Sequence, residues 1–201
     1  MAEQTMGMPA IHHHWTTDQV AELQQESRHW PRYELIAGEL IVTPAPEMEH
    51  QLAVQEFLFI LHDYVEENRL GTVLMSPADI RLLPESIVQP DVFVVPPPTG
   101  PRLDRMPQWS DVKSLLIAIE IISPSSVRTD RVEKRELYLA AGVPDYWVVD
   151  LDGRVVEQWT PNRPTPNFSR ETLAWQPLNA AAPLTIELIP LFQKITGKRV
   201  I

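Results

Sequence analysis

Apolar positions recur along this chain in distinct rhythms, and each rhythm predicts a different kind of element. Between Glu47 and Asn68, Val54, Leu58, Leu61 and Val65 return every three or four residues, the spacing of one helix face, and Gly71 follows as a stop signal. Tyr33 to Val42 alternates around Ala37-Gly38, which predicts a tight hairpin closed off by Pro44 and Pro46. Thr72–Ser76 and Ala78–Leu82 read as short strands, and the runs Gln89–Val95 and Leu115–Ile122, apart from one acidic residue each, read as buried ones. Asp130 followed by Glu133 has the spacing of a capping box, opening a helix that runs to Ala141 and stops at Gly142. Tyr146–Asp150, a Leu151-Asp152-Gly153 turn and Arg154–Trp159 form a strand–turn–strand unit. A short helix over Thr17–Gln25, capped by Thr16 or Thr17, precedes all of these. Pro96 to Trp109 is rich in proline and reads as a loop.

These elements predict one α/β domain, since 201 residues at 44% hydrophobic content suffice for one sizeable core and hardly for two. Residues 1–30 read as a lead-in with the short helix, 31–160 as the core, and 161–201, with prolines at 161, 164 and 166, as peripheral strands and a tail. The chain has no cysteine, which excludes disulfides, thiolate zinc sites, iron–sulfur clusters and a cysteine nucleophile. No apolar run approaches the roughly 20 residues that span a bilayer, and no signal peptide is legible at the N-terminus, so a soluble cytoplasmic protein is expected.

The net charge of −10 argues against a broad basic surface, so any contact with nucleic acid has to be local. Basic residues do cluster at Arg128, Arg131, Lys134 and Arg135, either facing phosphates or forming a solvated helix face. His12-His13-His14 does not make a metal site, because three adjacent side chains in a strand or helix cannot converge on one ion. The more informative charges are Asp91 and Glu120, each at the border of an apolar strand run. A carboxylate there costs several kcal/mol unless partnered, and a shared Mg²⁺ is the natural partner for the two.

Arg32-Tyr33-Glu34-Leu35-Ile36-Ala37-Gly38-Glu39-Leu40, Pro44-Ala45-Pro46 with His50, Gln89-Pro90-Asp91, Glu120-Ile121-Ile122-Ser123-Pro124-Ser125, Asp130 with Lys134 and Tyr138, and Gly142–Asp150 follow one another in a familiar order. Together, over roughly residues 15 to 160, they resemble the Uma-type family of restriction endonucleases within the PD-(D/E)XK nuclease superfamily. The resemblance implies a restriction-endonuclease-like mixed β-sheet flanked by α-helices, with Asp91 and Glu120 presented to one metal. The superfamily's lysine, two residues after the second acid, falls at Ile122; the resemblance moves that role to Lys134 on the following helix. Homodimerisation is implied as well, since two sites are needed to cut both strands of DNA.

Hydrolysis of a phosphodiester needs an activated water and relief of the charge that builds on the phosphoryl oxygens, and a divalent ion on carboxylates supplies both. Hard oxygen ligands suit Mg²⁺ or Mn²⁺. Asp91, Glu120 and the peptide carbonyl of Ile121 are the expected ligands, and Lys134 is expected to face the water and the phosphate. Glu39 and His50 are auxiliary candidates, each weighed against a structural role, while Glu34 is read as surface or structural and Tyr138 as packing on the sheet. Two other readings stay open. One is a catalytically silent binding module of the same fold, motivated by Ile122 and the acidic charge; the other is a hydrolase of small phosphorylated molecules, although no Gly-rich phosphate loop is present.

Overall fold

A computed structural model describes residues 14–26, 30–97 and 107–197. His12 and His13, and most of the proline-rich loop, lie outside the described residues; His14 is exposed beside Glu85. Helix α1 (Thr17–Glu26) opens where the Thr16 hydroxyl accepts the amide of Gln19, and Gln19 returns a bond to the Thr16 amide. Strands β1 (Arg32–Ile36) and β2 (Glu39–Thr43) form the predicted hairpin, turning at Ala37 and Gly38 with φ of 50° and 81°.

Helix α2 (Met48–Glu67) buries Val54, Phe57, Leu61, Tyr64 and Val65 against the sheet. Its left-handed end residue is Arg69 rather than Gly71. Gly71 serves a different purpose, because at φ +140° its missing side chain lets the chain pass the carbonyl oxygen of Val95, which any Cβ would strike. Gly71→Ala is therefore expected to destabilise the protein by more than about 1 kcal/mol, in the range of other forced backbone strains, and a wild-type urea midpoint for this variant would contradict the contact.

The central sheet runs β3 (Thr72–Met75), β4 (Val92–Val95), β5 (Ile117–Ile121), β6 (Asp145–Asp150), β7 (Val155–Trp159) and β8 (Asn167–Ser169), side by side in that order. Among the described strands only the β5–β6 pair is parallel, which makes the sheet mixed. A π-helical turn over Thr129–Lys134 continues into α3 (Arg135–Ala140) and forms the crossover between them. The described residues form a mixed α/β architecture, with four α-helices and this central sheet.

Alternation along the strands gives the sheet two apolar faces. Val92, Val94, Ile117, Ile119, Trp147 and Val149 pack under α2, whereas Phe93, Ala118, Tyr146 and Val148 pack with Leu137 and Tyr138 of α3. Asp91 and Glu120 belong by parity to this second face.

Two expectations are corrected. Ala78–Leu82 does not form a ladder strand; Ala78 and Ile80 are buried as the alternation suggests, but pairing is a single bridge from Ile80 to Val88, and Asp79 bonds to Gln24 and Gln89 instead. The C-terminal stretch is not peripheral either. Strands β9 (Thr172–Trp175) and β10 (Leu184–Glu187) pair with each other, and helix α4 (Leu188–Thr196) sends Leu191, Phe192 and Ile195 into the same core as α2. Among the described residues, no helix is long and apolar enough to cross a membrane.

Candidate active site

The antiparallel register of β4 and β5 pairs Val92 with Ile119 and Phe93 with Ala118, so one more step places Asp91 opposite Glu120. Both are almost fully buried. Asp91 Oδ2 accepts the Ile121 amide at 3.0 Å and lies 3.1 Å from His50 Nε2, while Oδ1 lies 3.3 Å from Arg32 Nη2. Glu120 Oε1 accepts the Tyr138 hydroxyl at 2.9 Å and lies 3.1 Å from Lys134 Nζ. Both contacts fall on Oε1, and no hydrogen bond to Oε2 occurs among the described residues.

Lys134 is the hub of the site. Its ammonium is buried and lies 3.0 Å from Glu34 Oε2, 3.1 Å from Glu120 Oε1 and 3.6 Å from Asp130 Oδ1. The π-helical turn keeps Asp130 and Lys134 on the sheet-facing side, with Tyr138 a further turn along; such turns recur at functional positions. Ile122, where the superfamily lysine would sit, packs against the apolar layer, so the ammonium reaches Glu120 from the helix alone.

Four buried carboxylates, Glu34, Asp91, Glu120 and Asp130, therefore face two permanent cations, Arg32 and Lys134, with His50 beside them. The titration behaviour follows from this imbalance. Burial raises Glu120 well above the ordinary glutamate value, Lys134 opposes it, and the neighbouring Asp130, Asp91 and Glu34 reinforce it. Burial raises Asp130 to about 6 against the pull of Lys134 and a bond from Ser126. Asp91 is also penalised by burial, but His50, Arg32 and Lys134 together hold it at about 2.

Asp130 is thus a carboxyl with a raised folded pKa: its protonated form favours the fold, and stability drains away as pH rises from the unfolded value through about 6. Asp91, lowered in the fold, acts in the opposite sense and loses its contribution as pH falls from about 4 to 2. In EDTA, Asp130→Asn is expected to flatten the loss of urea stability between roughly pH 4 and 6; parallel curves for variant and wild type would contradict the assignment.

The donor set suits a divalent cation on two counts. The oxygens are hard ligands of the kind Mg²⁺ and Mn²⁺ take, and with all four carboxyls ionised the negative charge left over from Arg32 and Lys134 is of the size such an ion offsets. Among the described residues, however, no three His, Asp or Glu side chains stand ready as a cage, since Lys134 lies among Glu34, Glu120 and Asp130.

Of the residues singled out from the sequence, the structure brings together Asp91, Glu120, Ile121, Lys134 and His50. It does not bring in Glu39, which is exposed at the tip of the hairpin, beyond the Ile41–Thr43 end of β2 that lines the cleft. The hairpin's acidic contribution is Glu34, whose Oε1 accepts the Gln89 amide at 2.7 Å while Oε2 meets Lys134. Of the two readings of Glu34, surface or structural, the surface one is corrected here. Leu35 packs with Val20 and Ile87 on one side of β1, and the opposite side, carrying Arg32 and Glu34, faces the cleft instead of solvent.

The capping box at Asp130 is likewise absent: the chain is already helical there, and the Asp130 amide bonds to the Ser126 carbonyl. Nor do the neighbouring arginines make a phosphate patch. Arg131 is held by Glu157 and Asp150, Arg135 lies over Trp159 and beside Glu136, and Arg128 pairs with Glu133.

The mixed sheet flanked by helices is a nuclease-type α/β fold, and on it Asp91 and Glu120 stand opposed on adjacent strands with Lys134 reaching Glu120 from the following helix. A crystal structure of "a putative nuclease belonging to DUF820" from Anabaena variabilis shares this fold, with a TM-score of 0.64 at 20% identity over 86% of this chain and 98% of that one. Residues 18–188 match the family described as "Uma2: Putative restriction endonuclease", and the chain belongs to that family. Among curated proteins no match is found.

Proposed function

We propose that this protein is a metal-dependent endonuclease that hydrolyses phosphodiester bonds of nucleic acid, with DNA as the substrate and Mg²⁺ or Mn²⁺ as the cofactor. The observation that carries this reading is the opposed pair Asp91 and Glu120 with Lys134 at 3.1 Å from Glu120. Family membership and the nuclease-like fold support it at the coarse level.

In this reading Asp91 and Glu120, with the Ile121 carbonyl, hold the metal, which when bound supplies Lewis acidity and lowers the pKa of its water. Arg32 and His50 fix the Asp91 carboxylate in one orientation. Lys134 turns its ammonium towards the incoming water and the phosphoryl oxygens, stabilising the charge that grows there. Tyr138 orients Glu120 through its hydroxyl. A homodimer in the cytoplasm, one site per strand, completes the proposal for double-strand cutting.

Supercoiled plasmid and a single-stranded oligonucleotide, incubated with Mg²⁺, Mn²⁺ or EDTA, test this directly. Metal-dependent nicking that disappears with Asp91→Ala is the expected result. Intact substrates under every condition would overturn it in favour of a silent binding module.

A further inference from the structure

Asp91 has a second side. A cavity of about 430 Å³ opens next to the small catalytic cleft and shares Arg32, His50 and Asp91 with it. Its size falls within the roughly 300–1,000 Å³ of small-molecule sites, whereas the cleft at Glu120 and Lys134 measures only about 60 Å³. The two spaces differ in chemistry as well. The cleft is lined by carboxylates and Lys134, while the cavity is lined by aromatic and amide side chains, among them Trp30, Tyr33 and Trp109.

The two tryptophans are 40% and 38% exposed, an unusual outlay of aromatic surface beside a buried charged centre. The Arg32 guanidinium, 5.0 Å from the Trp30 ring centroid, also bonds Asp91, so the aromatic wall is joined to the catalytic carboxylate through one side chain. Trp109 is braced edge-on by Phe93 of the sheet.

The polar wall accepts hydrogen bonds at its Asp79 and Gln89 side, whereas Arg32 Nε and His50 Nδ1, at its Asp91 side, are buried without partners. The Gln24 and Gln89 amides both donate to Asp79 Oδ1 at 2.8 Å. Because an ionised carboxylate only accepts, this fixes the Gln89 amide with its oxygen turned away, and Gln89 Oε1 is buried without a partner. Among the described residues, no hydrogen bond reaches Asp79 Oδ2.

We infer that the cavity is a nucleobase pocket, receiving one unpaired, amine-bearing base of the substrate strand against Trp30 and Trp109, its exocyclic amine towards Asp79 and Gln89. The inference rests on the phosphodiesterase reading and narrows it: the substrate is a single strand, or a duplex locally opened at the cut. Base–aromatic stacking of this kind tolerates different bases, and the acceptors add a preference for cytosine, adenine and guanine over thymine.

Fluorescence anisotropy of labelled oligonucleotides on Glu120→Gln protein, which binds without cutting, tests the pocket. Oligo-dC and oligo-dA are expected to bind more tightly than oligo-dT or duplex of the same length. Trp30→Ala and Trp109→Ala, added to that protein, each weaken single-strand binding about 5- to 100-fold, and Trp109→Phe restores most of the loss at its position. Their exposure allows both substitutions without unfolding, which a thermal melt verifies.

Unchanged affinity in both alanine variants overturns the pocket, and equal binding of dC, dA and dT overturns its acceptor edge. Adenosine monophosphate competing as well as the oligonucleotide overturns the strand assignment in favour of a free nucleotide. Cleavage by the otherwise wild-type protein is scored separately. Cutting that is indifferent to the tryptophans sinks the pocket and leaves the nuclease; tryptophan-dependent binding without any cutting sinks the nuclease and leaves the pocket.

Discussion

Replacing Lys134 by alanine is expected to slow cleavage by at least about 10²–10³-fold, the scale on which removal of one preorganised charge-stabilising group registers. The same change removes the only cation among the described residues that Glu34, Glu120 and Asp130 share within 3.6 Å. Breaking a buried pair by deleting one partner costs about 3–5 kcal/mol, offset in part as Glu120 and Asp130, both already raised by burial, take up protons. The protein should therefore be less stable at neutral pH and recover as the solution is acidified. Lys134→Arg is not a rescue, because three carboxylates converge on one compact nitrogen and the broad guanidinium fork does not fit there. Tyr138→Phe removes one hydroxyl bond from Glu120 and should cost far less, about 1–2 kcal/mol in stability. Urea denaturation at two pH values and single-turnover cleavage check these effects together; a Lys134→Ala protein cutting at the wild-type rate would remove the lysine from the mechanism.

The second large effect is at Asp91. Its carboxylate is the common acceptor for Arg32, His50 and the Ile121 amide, so Asp91→Ala strands a buried guanidinium and a buried amide at once, again about 3–5 kcal/mol. Cleavage should fall to the level seen in EDTA. Asp91→Asn separates the two consequences. The amide keeps one acceptor oxygen and the side-chain volume, so the fold should lose less, yet the anionic ligand is gone and cutting should be lost nearly as completely. Melting temperature against cleavage rate for the two variants measures this; Asp91→Asn protein with wild-type turnover would show that the charge at this position is not needed.

The parts of the site that were legible from the sequence are those that violate a local rule. Asp91 and Glu120 stand out because each charge borders a strand that is otherwise apolar, and their register follows from the two strands pairing. Lys134 violates nothing; a lysine on a helix is ordinary, and only the resemblance singled it out. Glu34 escaped for a physical reason. Alternation correctly placed it opposite Leu35, but the polar face of a strand looks to solvent only when nothing packs there, and here the hairpin lies against the site. Arg32, two residues earlier on that face, was the available hint.

Helix α4 lies in the stretch read as strands and a tail, and it contains Pro190. That proline falls in the first turn, where a missing N–H costs no helical bond. The aromatic cavity was illegible for a different reason: Trp30, Asp79, Gln89 and Trp109 lie far apart in the chain and are gathered only by the fold.

One measurement bears on the whole account: single-turnover cleavage of a labelled single-stranded oligonucleotide as Mn²⁺ is titrated, with EDTA as the blank, for wild type and Lys134→Ala, with Mn²⁺ binding followed in both. The account predicts saturable, metal-dependent cutting by wild type, and a variant that binds Mn²⁺ but cuts at least about 10²-fold more slowly. Cleavage that persists in EDTA, or equal rates in the two proteins, would contradict it.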